Sequence, residues 1–409
     1  MRALVFDASI PRYMAGKVLG ALYRPVLWSG LSCVRVAEVP EPVLPGEEWV
    51  RVRMTYGGIC GSDLNTILLH ESPTGSALTS FPFVLGHENV GIVEEVGREA
   101  REVMVGDRVV VEPLLPCPVR GYAAAPCPAC IAGEFNLCRR FTEGPLASGV
   151  MMGFCRDTGG SWARSVVAHR WQIHRLPPSV SDENALVSEP VASALHPVRR
   201  PRPGDGETVL VIGGGMIGQC TIAALRAVGS RARILALAKY RFQGEMAAQL
   251  GADQVVYLTR DFSHYGVVAD ATGARVLRPI LGPPLLSGGV DVTFECVGRA
   301  SGLNDALRLT RQGGRVVVVG LAAMPRGIDW SPICLKELQI SGSVAYATEA
   351  VDGRRVRTMA YALELMARGA VNVGHLVTHR FTPQEYAEAI ETALGKSRGS
   401  VFKVAFVHH

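Results

Sequence analysis

Thr208-Val-Leu-Val-Ile-Gly-Gly-Gly-Met-Ile-Gly218 is the stretch that decides the fold. Thr208 to Ile212 is a continuous run of β-branched and apolar residues, the texture of a strand buried on both faces in a parallel sheet. A glycine-rich turn follows, and then a helical stretch from Gly218 to Val228, so the three parts open a βαβ unit. Gly213, Gly215 and Gly218, with Met216 and Ile217 between the last two, satisfy G-x-G-x-x-G. In this context Gly213 permits the tight turn, Gly215 lets the backbone approach a pyrophosphate, and Gly218 lets the helix pack on the strand, with the phosphates at the positive helix end. The competing reading, a strand-to-helix turn that holds no ligand, has the βαβ context against it.

Downstream the pattern repeats. Strands are expected at Arg233 to Ala238, Val255 to Leu258, Val290 to Glu295 and Arg315 to Gly320, alternating with helical stretches such as Gly244 to Gly251 and Gly302 to Thr310. That alternation predicts a doubly wound α/β domain over 197–344. A nucleotide without a 2′-phosphate is usually held by Asp or Glu about twenty residues after the glycines. Here that place is Ala238, followed by Lys239, Tyr240 and Arg241. With no acid to repel a 2′-phosphate and two cations to attract one, NADP(H) is preferred over NAD(H); ordinary surface cations are the other reading.

The rest of the chain has a different texture. Short runs at Trp49 to Met54, Gly91 to Val96, Arg108 to Glu112 and Ser165 to Ala168, punctuated by Gly and Pro, read as strands of a mostly antiparallel domain. A helical stretch, Glu183 to Leu195, and an Arg/Pro/Gly-rich connector, Arg199 to Gly206, mark the junction. The closing segment, Tyr346 to His409, returns to mixed helix and strand, so the first domain is expected to be discontinuous, 1–196 with 345–409.

With 48% hydrophobic and 19% charged residues, the 409-residue chain has the composition of a folded enzyme with a large core, which excludes disorder as its main state. The net charge of +5 is spread along the chain, so a nucleic-acid partner is not expected. The clusters Arg199, Arg200, Arg202 and Arg354, Arg355, Arg357 read as solvated surface or linker. No apolar run is long enough for a membrane span, and Met1 to Phe6 reads as a strand rather than a signal peptide, so a cytoplasmic protein without a membrane partner is expected. In a reducing compartment ten cysteines are metal ligands, catalytic groups or core residues rather than a disulfide framework.

Four of them, Cys117, Cys127, Cys130 and Cys138, cluster as C-x9-C-x2-C-x7-C in a loop-rich lobe near 112–145. Four thiolates suit a closed tetrahedral structural zinc, and the long gap after Cys117 sets that residue apart. A second set is dispersed: Cys60, Ser62 and Asp63 in Gly57-Gly-Ile-Cys-Gly-Ser-Asp63, His87 and Glu88 after Gly86, and Glu189 before Pro190. Cys60, His87, Glu88 and Glu189 match the donors of a catalytic zinc if their loops converge, which spacing alone leaves open; isolated cysteines and histidines are otherwise core residues.

Taken in order, Gly57 to Asp63, Gly86 to Gly91, Val105-Gly-Asp-Arg-Val109, the four-cysteine lobe, Gly213 to Gly218 and Phe294-Glu-Cys-Val-Gly298 resemble the zinc-dependent medium-chain alcohol dehydrogenases. Glu189-Pro190 resembles the sorbitol and threonine dehydrogenase branch. The resemblance implies a GroES-like catalytic domain beside the Rossmann domain, a catalytic zinc held by Cys60 and His87 with Glu88 and Glu189 as neighbouring carboxylates, and a structural zinc. It implies that Ser62 hydrogen-bonds the reacting oxygen, that Asp63 orients the ligand histidine, and that Val297 and Gly320 join the cofactor-binding set. It further implies hydride transfer between NADP(H) and a secondary alcohol, polyol or sugar-like substrate, by a homodimer or homotetramer. Alternatives are a zinc-independent enone or quinone reductase of the same fold and a non-enzymatic NADP(H)-binding protein.

Departures from the pattern are Asn65, where many relatives carry a proton-passing histidine, and expansions at 13–34 and 259–289, expected to be surface insertions. His196 is expected to have a structural role, and His408-His409 to be an exposed tail.

Overall fold

The computed structural model describes residues 1–200, 202–395 and 399–408. Pro201 in the expected connector, residues 396–398 and the tail residue His409 lie outside them. The chain divides into two compact units, Met1–Glu189 with Ala350–His409, and Pro190–Glu349. The boundaries fall at 189/190 and 349/350, where 196/197 and 344/345 were expected; the first lies within the helix Ser188–Arg199.

In the first unit a seven-stranded sheet runs in the order Val377–Phe381, Lys403–Val407, Trp49–Gly58, Glu88–Val96, Arg108–Val111 and Ile173–Arg175, with Ser165–His169 also paired to Trp49–Gly58. All but the pairing of the first two strands are antiparallel. Val50, Val52, Met54, Val93, Val109 and Val166 turn to a common core, as residues of like parity do on one face of a pleated sheet. A second core gathers Phe6, Trp28, Phe83, Trp162, Ile390 and Phe406, so N-terminal and C-terminal segments close around the residues that follow Trp49–Gly58.

The expansion at 13–34 is a helix, Ile10–Leu22, with a short 3-10 turn, Arg24–Trp28. Its amphipathicity is inverted. Gly16 and Gly20 face inward, where a Cβ would lie 2.4 Å from Ser32 Oγ and 2.7 Å from Leu27 Cδ2, while Ile10, Met14, Val18 and Leu22 are exposed. The arginines expected as solvated surface at 354–357 are in part packed. Arg357 stacks over the Trp171 ring at 4.0 Å and pairs with buried Glu112 at 3.2 Å, and Arg355 donates to the Ala132 carbonyl. A planar guanidinium can stack and donate at once, which a charge count does not reveal. His408 is likewise no free tail: its N–H donates to the Thr55 carbonyl and its ring lies 2.9 Å from Ser161 O.

In the second unit six parallel strands run in the order Gln254–Tyr257, Arg233–Ala238, Thr208–Ile212, Val290–Glu295, Thr310–Val318 and Gln339–Gly342. This is the doubly wound order 3-2-1-4-5-6, whose ligand crevice lies where the order reverses, between Thr208–Ile212 and Val290–Glu295. Leu210, Leu235, Ala306 and Val316 are fully buried between sheet and helices. The expansion at 259–289 is a helix, His264–Thr272, and a small antiparallel pair, Arg275–Leu277 with Leu285–Ser287. His196 is buried and bonded through Nδ1 to Glu349 at 2.7 Å, the structural role expected of it. Among the described residues no helix is long and apolar enough to cross a membrane.

Candidate active site

Cys60 lies two residues past the strand Trp49–Gly58 and caps the helix Gly61–Ile67. Its backbone N–H donates to Asp63 Oδ2 at 2.8 Å, so the carboxylate one turn into the helix fixes the orientation of the cysteine. The other oxygen of Asp63, itself fully buried, lies 3.4 Å from His87 Nδ1. His87 stands after Gly86, whose φ of +96° suits glycine and whose Cβ would meet Trp162 Cδ1 at 2.2 Å. Asn89 then holds the histidine's main chain, donating to the His87 carbonyl at 3.2 Å and to Val111 O at 2.8 Å.

These constraints converge on one point. Donor atoms of Cys60, His87 and Glu88 all lie within 4.8 Å of one another, His87 and Glu88 buried and Cys60 half-buried. Burial alone pushes the His87 imidazole down, but Asp63 and Cys60 beside it reverse the balance and raise it well above its ordinary value. Among the described residues Nδ1 of His87 and Oδ1 of Asp63, though facing each other, reach no hydrogen-bond geometry. A buried imidazole in a negative field, beside a thiol and a carboxylate, is a donor set that fits zinc.

Glu88 has a partner the sequence did not announce. Lys403, in the closing strand, places Nζ 2.6 and 2.5 Å from the two carboxylate oxygens and 3.3 Å from Ile59 O, with both side chains buried. Burial lowers the lysine, and Glu88, Cys60 and Glu189 more than offset this, so it is raised. Glu189 is buried at the start of the helix Ser188–Arg199 and adds to the field at Lys403, but it is not among the three clustered donors. Ser62 is half-buried in the first turn after Cys60.

Cys117, Cys127, Cys130 and Cys138 are all buried, with their sulfurs within 4.8 Å of one another, so the long gap does not remove Cys117 from the cluster. Backbone N–H groups point at the sulfurs: Cys127 N to Cys117 Sγ at 3.3 Å, Arg139 N to Cys127 Sγ and Arg140 N to Cys138 Sγ, each at 3.4 Å. The Cys138 thiol is pushed down to about 5, first by the hydrogen bond from Cys130, while burial opposes. Four clustered thiols with one readily ionised fit a closed four-sulfur zinc site. The gap holds Arg120, fully buried, whose guanidinium donates to the carbonyls of Leu115, Glu143, Leu146, Ala147 and Gly149. One arginine thereby shapes the loop that walls the cluster, a role that nothing in its local sequence signals.

In the second unit Gly213 has φ +110° and Gly218 would place a Cβ 1.8 Å from Gly213 O, so the turn and the first helical residues touch backbone to backbone. Gly215 caps the helix Met216–Ala227, which carries Met216 and Ile217 in its first turn. Beyond Ala238, Lys239 is exposed and lies 5.3 Å over the Tyr240 ring, Tyr240 stacks with Phe242 at 5.8 Å, and Arg241 is bonded to Glu245 at 2.8 Å. Val297 and Gly320 lie just past the ends of Val290–Glu295 and Thr310–Val318.

Residues 46–178 match the alcohol dehydrogenase GroES-like domain and residues 216–368 the zinc-binding dehydrogenase domain. L-idonate 5-dehydrogenase of Vitis vinifera is 32% identical over 379 residues, covering 91% of this chain and 92% of the relative. The chain belongs to the zinc-dependent medium-chain dehydrogenases. As a member of that family it is an oxidoreductase acting on CH–OH groups. Sorbitol dehydrogenase of Arabidopsis thaliana is 33% identical over 367 residues, 88% of this chain and 89% of the relative. A zinc-binding dehydrogenase of Sinorhizobium meliloti, solved bound to NADP, superposes with a TM-score of 0.69 at 26% identity, covering 92% and 95% of the two chains.

Proposed function

We propose that the protein is a zinc- and NADP(H)-dependent dehydrogenase that moves a hydride reversibly between the cofactor and a secondary alcohol, polyol or sugar-like substrate. The convergence of Cys60, His87 and Glu88 carries this reading. Donors of sulfur, nitrogen and oxygen from Cys60, His87 and Glu88 would hold a zinc and leave room for substrate at it. The metal would supply Lewis acidity at a substrate hydroxyl, and the nicotinamide would accept or return the hydride. Cys60 and His87 would hold the metal, Asp63 would keep the ring of His87 oriented, and Glu88, shared with Lys403, would be the adjustable third donor beside Glu189. Ser62 would hydrogen-bond the reacting oxygen and relay its proton, accepting it as the serine's own proton passes on. Asn65 cannot titrate, so the proton given up by Ser62 would pass to water or a cofactor hydroxyl.

The polar substrate class is supported by the likeness to sorbitol and L-idonate dehydrogenases, and the NADP(H) preference by Lys239 and Arg241 where an acid would otherwise stand. A homodimer or homotetramer belongs to the same reading; the edge strand Gln339–Gly342, exposed at all four residues, supports it. Light scattering is expected to return a multiple of the 43.8 kDa chain mass, and a single chain mass would remove this part.

The test follows nicotinamide absorbance with NADP or NAD across polyols, sugars, secondary alcohols and their ketones, before and after chelation. Chelator-sensitive turnover with NADP is expected. Cys60→Ser is expected to lose turnover while keeping the wild-type Kd for NADPH; an active Cys60→Ser enzyme would remove the metal mechanism.

A further inference from the structure

Glu295 ends the strand that borders the crevice of the second unit, and its side chain is fully buried. Among the described residues no cation pairs with it. Its Oε1 instead accepts the N–H groups of Val297 at 2.9 Å and Gly298 at 3.1 Å, and Oε2 lies 3.0 Å from the same Gly298 nitrogen. Its main-chain oxygen accepts two more, from Val319 at 2.9 Å and Gly320 at 2.8 Å. One residue therefore binds the turns that leave two adjacent strands. A carboxylate buried without a cation is costly to keep, and burial does push Glu295 up despite the N–H groups that favour its charge. An apolar residue would fill the space at less cost, so packing does not account for the acid.

What the acid holds is the ligand-facing edge. The N–H of the next residue, Cys296, donates to Ile212 O at the end of the neighbouring strand. A Cβ on Gly213 would lie 2.8 Å from Val297 Cγ2, one on Gly320 would lie 2.2 Å from Gly298 N, and one on Gly298, at φ +70°, would lie 2.5 Å from Leu321 O. The turns at 213, 296–298 and 319–321 thus interlock at the point where the strand order reverses, the place where open α/β sheets take their ligands.

We propose that Glu295 is a positioning residue for the dinucleotide, presetting the main chain of the Val297–Gly298 and Val319–Gly320 turns beside Gly213 so that the nucleotide meets an ordered edge rather than having to order it. The inference rests on the dinucleotide reading of the second unit. Preorganisation of this kind is read in affinity, because a loose edge has to be immobilised at the moment of binding. The amide of Glu295→Gln would turn an N–H toward a position that now accepts the N–H of Gly298, and Glu295→Asp keeps the charge but shortens its reach.

NADPH and NADH are titrated by fluorescence into the wild type and both variants, and unfolding midpoints are taken without nucleotide. Both variants are expected to bind about tenfold more weakly, with the midpoint of Glu295→Gln at or above that of the wild type, since a buried charge has been removed. Wild-type Kd in both variants would overturn the proposal. So would weakened binding that merely tracks a midpoint lowered by several degrees in both, which is the mark of a structural role. A wild type that binds neither nucleotide would overturn the dinucleotide reading itself, a result distinct from either.

Discussion

Replacing Lys403 with Met tests the charge accounting at the candidate active site. Two unit charges about 3 Å apart attract by about 5 kcal/mol at an effective dielectric of about 20, but each ion also lost its water on burial, so the intact pair is close to neutral in stability. Removing the lysine alone is different. Glu88, fully buried, is left uncompensated, and such single deletions cost about 3–5 kcal/mol. The measurement belongs in chelator-treated protein, so that no bound cation stands in for the ammonium. Of the five tryptophans, Trp28, Trp49, Trp162 and Trp171 lie in the first unit, so urea unfolding followed by their fluorescence reports mainly on the unit concerned. With a urea slope of about 3 kcal/mol/M, Lys403→Met is expected to lower the midpoint by about 1–1.7 M. The double variant Lys403→Met/Glu88→Gln, which has no charge to strand, is expected to recover most of that loss. A single variant within about 0.3 M of wild type, or a double variant no better than the single, would refute the argument that the pair guards a buried charge.

Two other outcomes follow from buried cations. Arg120→Leu is expected to strand five carbonyls around the four-cysteine cluster at about 1–3 kcal/mol each before water re-enters, and so to release one zinc equivalent to a chromogenic chelator well before wild type; two equivalents released at wild-type rates would refute this. Among the described residues Lys336 donates to the carbonyls of Arg308 and Thr310 alone, and burial pushes it down to about 8. Between about 8 and 10.5 the unfolded chain holds this proton more tightly than the folded one, so the second unit is expected to gain stability as pH rises through that window. Lys336→Met should abolish the gain, and an unchanged pH profile in the variant would assign it elsewhere.

The features legible in the sequence were those whose signal is local. Thr208 to Gly218 announces its strand, turn and helix because the turn closes on itself, with Gly218 against Gly213 O, and Cys127, Cys130 and Cys138 announce a cluster because they are close in the chain. Lys403 was invisible for the opposite reason. In Val401-Phe-Lys-Val-Ala-Phe406 a single lysine reads as the solvent side of a strand, and only the pairing of Lys403–Val407 with Trp49–Gly58 brings it to Glu88. The helix Ile10–Leu22 within the expansion at 13–34 is hard to see in the sequence because Gly16 and Gly20 argue against helix and its large apolar residues face outward, so the usual periodic signal points the wrong way. Arg120 illustrates a third case, in which the partners are main-chain carbonyls that no side-chain pattern encodes.

The pairing of Glu88 with Lys403 also has a consequence on the ribosome. Their 315-residue separation spans the whole of the second unit. At about 5–20 residues per second, Glu88 waits on the order of half a minute after its own synthesis before its counter-ion exists. Until then the ion pair in which Glu88 is buried cannot form. Completion of this pair is thereby tied to the arrival of the C-terminal segment, and a chain that stops short of Lys403 has a Glu88 without this counter-ion.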